Sequence, residues 1–160
     1  MEQKPIKRDP SIVEFSKDHH FALLLCWKIR EGIRKTIEPT RISQYVVHFF
    51  DNDLSNHFSE EENLLFSQLS EKDPLRVQAE DDHAQIRKLV ENIRKNKDDE
   101  TLLVSFADLL DKHIRFEERI LFNHLQETLT ALQLQKIAAS LQARHHNIDI
   151  GWEDVFWGKN

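Results

Sequence analysis

The sequence predicts an all-α protein: an up-down-up-down four-helix bundle followed by a short extra C-terminal helix and a tail. The 160 residues include only three glycines and four prolines, which disfavours a strand-and-turn architecture. Four amphipathic segments follow one another with short links, which is the pattern of an antiparallel bundle. No linker divides the chain, so we expect one core, and a chain of this length can bury a sizeable one.

The first two helices are predicted from apolar residues that recur at steps of three and four. Helix 1 opens at a capping box formed by Ser11 and Glu14, and it ends before Pro39. Its inward face consists of Phe15, His19, Ala22, Cys26, Ile29 and Ile33. Helix 2 runs from about residue 40 to residue 69. Its inward face consists of Val46, Phe50, His57, Glu61 and Leu64.

The remaining helices follow from the same periodicity. Asp73 and Pro74 form an N-cap and first-turn pair that opens helix 3. Its inward face consists of Ala79, His83, Ile86, Val90 and Ile93. After a polar loop at 96–100, helix 4 presents Leu102, Phe106, Leu109, His113, Glu117 and Ile120. A shorter helix is expected over 130–143, and the aromatic tail after it is expected to pack against the bundle.

A ten-residue motif occurs twice, as HFSEEENLLF at residues 57–66 and as HIRFEERILF at residues 113–122. The pair Asp-His also occurs twice, at residues 18–19 on helix 1 and at residues 82–83 on helix 3. Helices 1 and 2 therefore resemble helices 3 and 4. This repeat predicts an approximate two-fold symmetry inside the bundle.

The repeat places polar residues on faces that should be buried. Residues four apart on a helix lie above one another, so His57 and Glu61 point at one target, as do His113 and Glu117. With His19 and His83, the predicted core holds four imidazoles and two carboxylates. A buried charge without a partner costs several kcal/mol, in the range of about 3–5. Bound cations would give every group a partner.

Two cations suit six ligands better than one. Each ion would take two imidazoles, and the two glutamates would bridge the ions. Sites of this kind in bundle cores hold di-iron or di-manganese pairs. Imidazole with carboxylate suits iron, whereas closed structural zinc sites favour thiolate, and the chain has one cysteine.

These motifs resemble those of the hemerythrin-like, or HHE cation-binding, domains. The resemblance covers residues 11–125 and leaves 126–160 as a C-terminal helical segment and aromatic tail. It implies a non-heme di-iron centre in a four-helix bundle, with Zn or Mn as alternative metals. The implied metal ligands are His19, His57, Glu61, His83, His113 and Glu117, with the two glutamates as bridges.

The chain departs from the oxygen-carrying members of that family in two places. They have a second histidine one turn after the helix 3 ligand, where this chain has Arg87. They also have an aspartate five residues after the helix 4 histidine, where this chain has Glu118. One metal would therefore either keep an open position for dioxygen, nitric oxide, peroxide or a small anion, or take a further ligand such as Glu60 or Glu118. Arg87 would hold an anion there if it turned inward, and otherwise points to solvent.

Several residues near the motifs have more than one interpretation. On helix 1, His19 is preferred over His20 because it lies in the apolar stripe. Glu62 and Glu118 fit solvated carboxylates or carboxylates that orient a histidine. Asp18 and Asp82 fit either that orienting role or an exposed helix surface. Cys26 is interpreted as a packed, inert thiol. His124 is interpreted as a structural histidine. Surface positions are expected for His48, His145 and His146.

Four functions compete. The leading one is a di-iron protein that binds or senses a small ligand or iron itself, with output through an unidentified protein partner. The others are a module in which metal only stabilises the bundle, a small di-iron oxidase or peroxidase, and a metal-free helical interaction protein. An absorption spectrum and a metal analysis discriminate them.

Composition limits the location and the partners. The net charge of −6 comes from interspersed acids and bases, which argues against nucleic acid or a membrane surface as a partner. No apolar run approaches the ~20 residues of a membrane span. The first residues lack the apolar stretch of a secretory signal. One cysteine forms no internal disulfide, so we expect a cytoplasmic protein.

Overall fold

The computed structural model describes residues 7–141 and 148–158, and within those ranges the chain is helical with no strand. It has the predicted architecture, a helical bundle with an extra C-terminal helix. Helix α1 spans Pro10–Arg34, α3 spans Pro74–Lys95 and α5 spans Ala131–Ser140. Two longer helices are composite: α2 covers residues 39–68 and α4 covers residues 100–128. The predicted end of the last helix, at residue 143, lies outside the described residues.

Four of the five helices, α1, α3, α4 and α5, begin where a side chain caps them, whereas α2 begins at Pro39 without a side-chain cap. Asp73 accepts a hydrogen bond from the amide of Leu75 at 2.9 Å, which confirms the predicted start of α3. The predicted capping box at Ser11 is wrong. Helix α1 begins two residues earlier than that box implies, because Asp9 is the cap and accepts a hydrogen bond from the Ser11 amide at 2.9 Å. Helix α5 begins with a capping box between Thr130 and Gln133.

Both composite helices contain a wide, π-type turn at the repeated motif. In α2 this turn is Glu61–Leu65, and in α4 it is Glu117–Leu121. A second wide turn, Phe50–Leu54, lies earlier in α2. Wide turns inside α-helices are frequent at functional sites, because they shift the register of the side chains that follow. The turns begin at corresponding glutamates, so the repeat in sequence is also a repeat in backbone shape.

The first four helices form a closed ring around one core, in which α1 packs on α2 and α4, and α3 packs on the same two helices. The apolar core is divided into two clusters. The larger cluster contains Leu25, Tyr45, Val46, Val90 and Phe106 among others. The smaller contains Ile12, Phe15, Phe66, Phe122 and Ile137 among others. The histidines and glutamates of the repeat lie along each helix between these two clusters.

The C-terminal tail packs on the bundle, as expected. Phe156 lies against Gly32 so closely that a Cβ on Gly32 would come within 2.8 Å of its ring. A polar group under the tail, here called the tail latch, consists of the buried side chains of Lys28 and Tyr45 and the half-buried Asp149. Lys28 Nζ donates to Tyr45 Oη at 2.8 Å and to Asp149 Oδ2 at 2.9 Å, and Tyr45 Oη donates to Asp149 Oδ1 at 2.7 Å. The Lys28 ammonium also lies 4.1 Å from the ring centre of Trp157.

No helix in the described ranges combines the length and the apolar character needed to cross a bilayer.

Candidate metal centre

Six side chains from four helices meet between the two core clusters, and we call them the central cluster. They are His19, His57, Glu61, His83, His113 and Glu117. All six are buried, and none is more than 3% exposed. Helix α1 contributes one, α2 two, α3 one and α4 two. The structure thus brings together every residue that the repeat placed on an inward face at this level.

The two glutamates occupy the middle of the cluster. Oxygens of Glu61 lie 3.2 Å from Nε2 of both His57 and His83, and 3.5 Å from Nε2 of His19. Glu117 Oε1 lies 3.0 Å from His19 Nε2 and 3.3 Å from His113 Nε2. Each glutamate is therefore close to histidines from both halves of the repeat.

The ligand-type atoms form two overlapping groups. One contains His19 and His57 and the other contains His83 and His113, and both contain Glu61 and Glu117. Within each group the atoms lie within 4.8 Å of one another. Ligands held about 2.1 Å from a first-row metal ion lie within about 4.2 Å of each other. The observed spread therefore needs only a small contraction to surround one ion in each group.

Each histidine is held from behind by a carboxylate of another helix. Asp18 Oδ2 lies 3.0 Å from His57 Nδ1, and Glu62 Oε2 lies 2.7 Å from His83 Nδ1. These contacts link α1 to α2 and α2 to α3.

The other two contacts continue in the same direction around the bundle. Asp82 Oδ2 lies 2.9 Å from His113 Nδ1, and Glu118 Oε2 lies 2.6 Å from His19 Nδ1. They link α3 to α4 and α4 to α1. We call Asp18, Glu62, Asp82 and Glu118 the supporting acids, and together they form a closed ring in which each helix holds the histidine of the next.

The supporting acids determine which ring nitrogen faces inward. An ionised carboxylate only accepts hydrogen bonds, so Nδ1 of each histidine must carry the proton that it donates. In a neutral imidazole Nε2 then presents a lone pair to the centre. Nε2 of His83 and Nε2 of His113 lie 3.1 Å apart. Two lone pairs at that separation repel, and a proton or a metal ion removes the repulsion.

Several polar atoms of the cluster have no hydrogen bond. Among the described residues these are Nε2 of His19, Nε2 of His57 and both carboxylate oxygens of Glu61 and of Glu117. Leaving a buried polar atom unsatisfied costs about 1–3 kcal/mol, so such atoms are rare unless something else binds them. The donor set, neutral imidazoles with bridging carboxylates, fits a pair of transition-metal ions.

Burial and charge act in opposite directions on the titration of the cluster. Burial alone lowers the pKa of His57, but the charge of Glu61 and the hydrogen bond to Asp18 outweigh it and raise the pKa to about 9. The pKa of His113 rises to about 10 because Glu117 and Asp82 act in the same way against its burial. The carboxylates thus hold positive charge in the centre.

Aromatic rings close the cluster. The ring of Phe58 stacks on His83 with 3.9 Å between ring centres, and Phe122 stacks on His19 at 5.2 Å. Phe66, the counterpart of Phe122 in the repeat, lies 5.2 Å from His83. The Leu-Phe pair that ends each motif is buried in the core. These rings exclude water from the histidines.

Each of the two supporting acids that are glutamates, Glu62 and Glu118, has an arginine beside it. Arg87 donates to both oxygens of Glu62, at 2.7 and 3.1 Å, and it lies over the ring of Phe58. Burial alone would raise the pKa of Glu62, but hydrogen bonds from His83 and Arg87 lower it to about 2. Arg8 lies 3.6 Å from Glu118 on the opposite side. Neither prediction for Arg87 holds, since it is neither turned toward the cluster nor directed only to solvent.

The geometry shows where the residues with open assignments lie. His20 is exposed, whereas His19 joins the cluster. Asp18 and Asp82, which fitted two roles, both face a histidine. The periodicity of a single helix does not reveal that pairing, because each partner is on another helix. The signal in the sequence is the repetition of Asp-His and Glu-Glu in matching places.

Other predictions for single residues have mixed outcomes. Cys26 is buried, and burial raises the pKa of its thiol to about 12, which agrees with an inert side chain. His48 was expected on the surface but is half-buried and stacks on Trp152 at 4.5 Å. His124 is structural, with Nε2 2.7 Å from Asp73. His145 and His146 lie outside the described residues.

Comparison with known proteins agrees with this geometry. The sequence profile of the hemerythrin HHE cation-binding domain matches residues 11–125. The match includes every residue of the central cluster and all four supporting acids. No curated protein and no solved structure matches the chain significantly.

Proposed function

The chain belongs to the hemerythrin HHE cation-binding domain family, and from this premise we propose that the central cluster holds two iron ions and binds a small ligand. His19 and His57 would hold one ion, and His83 and His113 would hold the other. Glu61 and Glu117 would bridge the pair. The observation that carries this proposal is the set of buried nitrogen and oxygen atoms without hydrogen bonds.

Iron bound in this way supplies coordination positions for dioxygen, nitric oxide, peroxide or a small anion. Six side chains provide each ion with about four ligands if both glutamates bridge, and iron with nitrogen and oxygen ligands commonly reaches six. The supporting acids Glu62 and Glu118 do not add a ligand to either ion, because their carboxylates are directed at Nδ1 of their histidines. We infer that the remaining positions are available to a ligand.

The chain's own residues prepare this site in three ways. The supporting acids keep each imidazole in the tautomer that points Nε2 inward, and they make it a stronger donor to a cation. The rings of Phe58, Phe66 and Phe122 keep bulk water away. The arginines behind Glu62 and Glu118 keep these two carboxylates ionised and fixed.

One side of the centre is approached by a surface groove. It has a volume of about 710 Å³ and reaches Asp82 and Phe116. Asp82 contacts His113, so the groove ends one residue away from the central cluster. We infer that a small ligand enters from this side.

Metal analysis together with an absorption spectrum of protein supplied with iron tests the proposal. We expect about two iron ions per chain and absorption bands in the visible region that change saturably when azide is added. Zinc in place of iron, with no visible band, would support the alternative in which metal only stabilises the bundle. A metal content near zero, measured without chelators, would reject the proposal.

A further inference from the structure

The outward face of α1 carries three large apolar side chains that remain exposed in the described part of the chain. Phe21 is 44% exposed, Leu24 is 36% exposed and Trp27 is 49% exposed. They are spaced three residues apart, so they lie in one row across the helix. A contiguous row of exposed apolar side chains is typical of an interaction surface, whereas single exposed apolar residues need no explanation.

Charged side chains flank the apolar row at both ends, and each end contains one acid and one base. Toward the start of α1, Lys17 pairs with Glu14 at 3.2 Å. Toward its end, Arg34 pairs with Glu31. At the start of the row the nearest charge is the base Lys17, with the acid Glu14 farther out. At its end the nearest charge is the acid Glu31, with the base Arg34 farther out.

The arrangement is symmetric about Leu24. Phe21 and Trp27 are three residues from it, and Lys17 and Glu31 are seven residues from it. In an antiparallel pair of α1 helices related by a two-fold axis at Leu24, residues equally far from Leu24 come level with each other. Lys17 then faces Glu31 of the second copy, and Phe21 lies level with its Trp27.

The outermost pair fits the same axis. Glu14 and Arg34 are each ten residues from Leu24, so an antiparallel copy brings opposite charges level there as well. In a parallel pair, each charge would meet its own copy, which is repulsive. A surface that matches itself through a two-fold axis is the requirement for an isologous dimer.

We propose that α1 is the interface of an antiparallel homodimer whose two-fold axis passes at Leu24. The apolar row forms the centre of the interface and the charges form its rim, as in known interfaces. One helix per subunit makes a small contact area, so the association should be weak and should increase with protein concentration. The proposal does not depend on the metal, because this row lies on the side of α1 opposite to the core.

Sedimentation velocity over a range of protein concentrations tests the proposal. We expect the full chain to shift from monomer to dimer as its concentration rises. Leu24→Arg should abolish the dimer while helix content and metal content stay as in the wild type. Val77→Arg is the matched control, because Val77 is 50% exposed on α3, across the bundle from α1. It should leave the dimer intact.

Charge reversal tests the direction of the helices. Lys17→Glu alone and Glu31→Lys alone should each weaken the dimer, and the double variant should restore it. Leu24→Cys should give a covalent dimer on oxidation, whereas His20→Cys should not, because only a residue on the axis faces itself. Cys26 is buried and does not compete. A chain that stays monomeric at every concentration, or a dimer that survives Leu24→Arg, would overturn the proposal.

Discussion

Two groups of polar side chains in this molecule, the tail latch and the central cluster, differ in one respect that separates structure from function. In the tail latch, the Lys28 ammonium, the Tyr45 hydroxyl and both oxygens of Asp149 all have hydrogen bonds. In the central cluster, both oxygens of Glu61 and of Glu117 have none. The latch is complete without a ligand, so its role is to fix the tail. The cluster is incomplete without one, and this points to a bound cation.

The outer layer of the central cluster resembles the latch, because every supporting acid has a histidine partner. The unsatisfied atoms all face the centre. The side chains are thus held in place from outside, and their free atoms are directed at one another. A bundle that merely tolerated polar residues in its core would satisfy the inner atoms as well as the outer ones.

Removing a central carboxylate should have the largest effect. We expect Glu61→Ala and Glu117→Ala each to reduce the metal content from about two ions to nearly none, since each glutamate contacts both halves. The stabilisation by metal should disappear with it, and this amounts to about 2.7 kcal/mol at a metal concentration a hundredfold above Kd. Metal analysis and thermal melting with and without metal measure both. Glu71→Ala, on an exposed loop, is the control. Full occupancy in Glu61→Ala would show that Glu61 is not a bridge.

Removing one histidine should have about half that effect on the metal content. We expect His19→Ala to lose mainly one ion, because Nε2 of His19 belongs to only one of the two groups of ligand atoms. His20→Ala provides a control at the adjacent position, and it should retain both ions. Metal analysis of the two variants after identical purification decides between the two histidines. Equal loss in both would mean that the loss arises from damage to α1.

Removing the charge of one supporting acid should have a smaller effect. Asp82→Asn should keep both metal positions but weaken metal affinity by about 10–100-fold, which is the range typical of such partners. An amide still accepts a hydrogen bond from Nδ1 of His113, yet it stabilises a metal-bound imidazole less than a carboxylate does. Asp81→Asn is the adjacent exposed control. Competition titration with a chelator measures the affinity, and an unchanged value would show that Asp82 only packs.

The sequence predicted the bundle and the members of the central cluster because both depend on periodicity along one helix. A step of four places His57 above Glu61 wherever the helix lies. The ring of supporting acids depends on the rotation of neighbouring helices relative to one another, which no single helix encodes. For the same reason the role of Arg87 was missed, since its partner Glu62 lies on another helix.

The smallest effect should come from the tail latch, and pH should reveal it. Burial by itself raises the pKa of Asp149, but hydrogen bonds from Lys28 and Tyr45 outweigh it and lower the pKa below its usual value. A carboxylate with a lowered pKa stabilises the fold fully above the unfolded value of about 3.9, and this contribution is lost as the pH falls through the folded value. We expect Asp149→Asn to lose about 1–2 kcal/mol of unfolding free energy near pH 7.

The difference between Asp149→Asn and the wild type should shrink as the pH falls below about 4. Chemical denaturation of both proteins without metal measures it, and the titration of the central cluster cancels because both proteins contain it. Asp154→Asn is a control in the same tail, because Asp154 forms an exposed ion pair with Arg41. Exposed pairs contribute less than about 1 kcal/mol, so this variant should lose less. If the Asp149→Asn difference stays constant down to pH 3, the latch stabilises the tail by packing, and the charge of Asp149 contributes nothing.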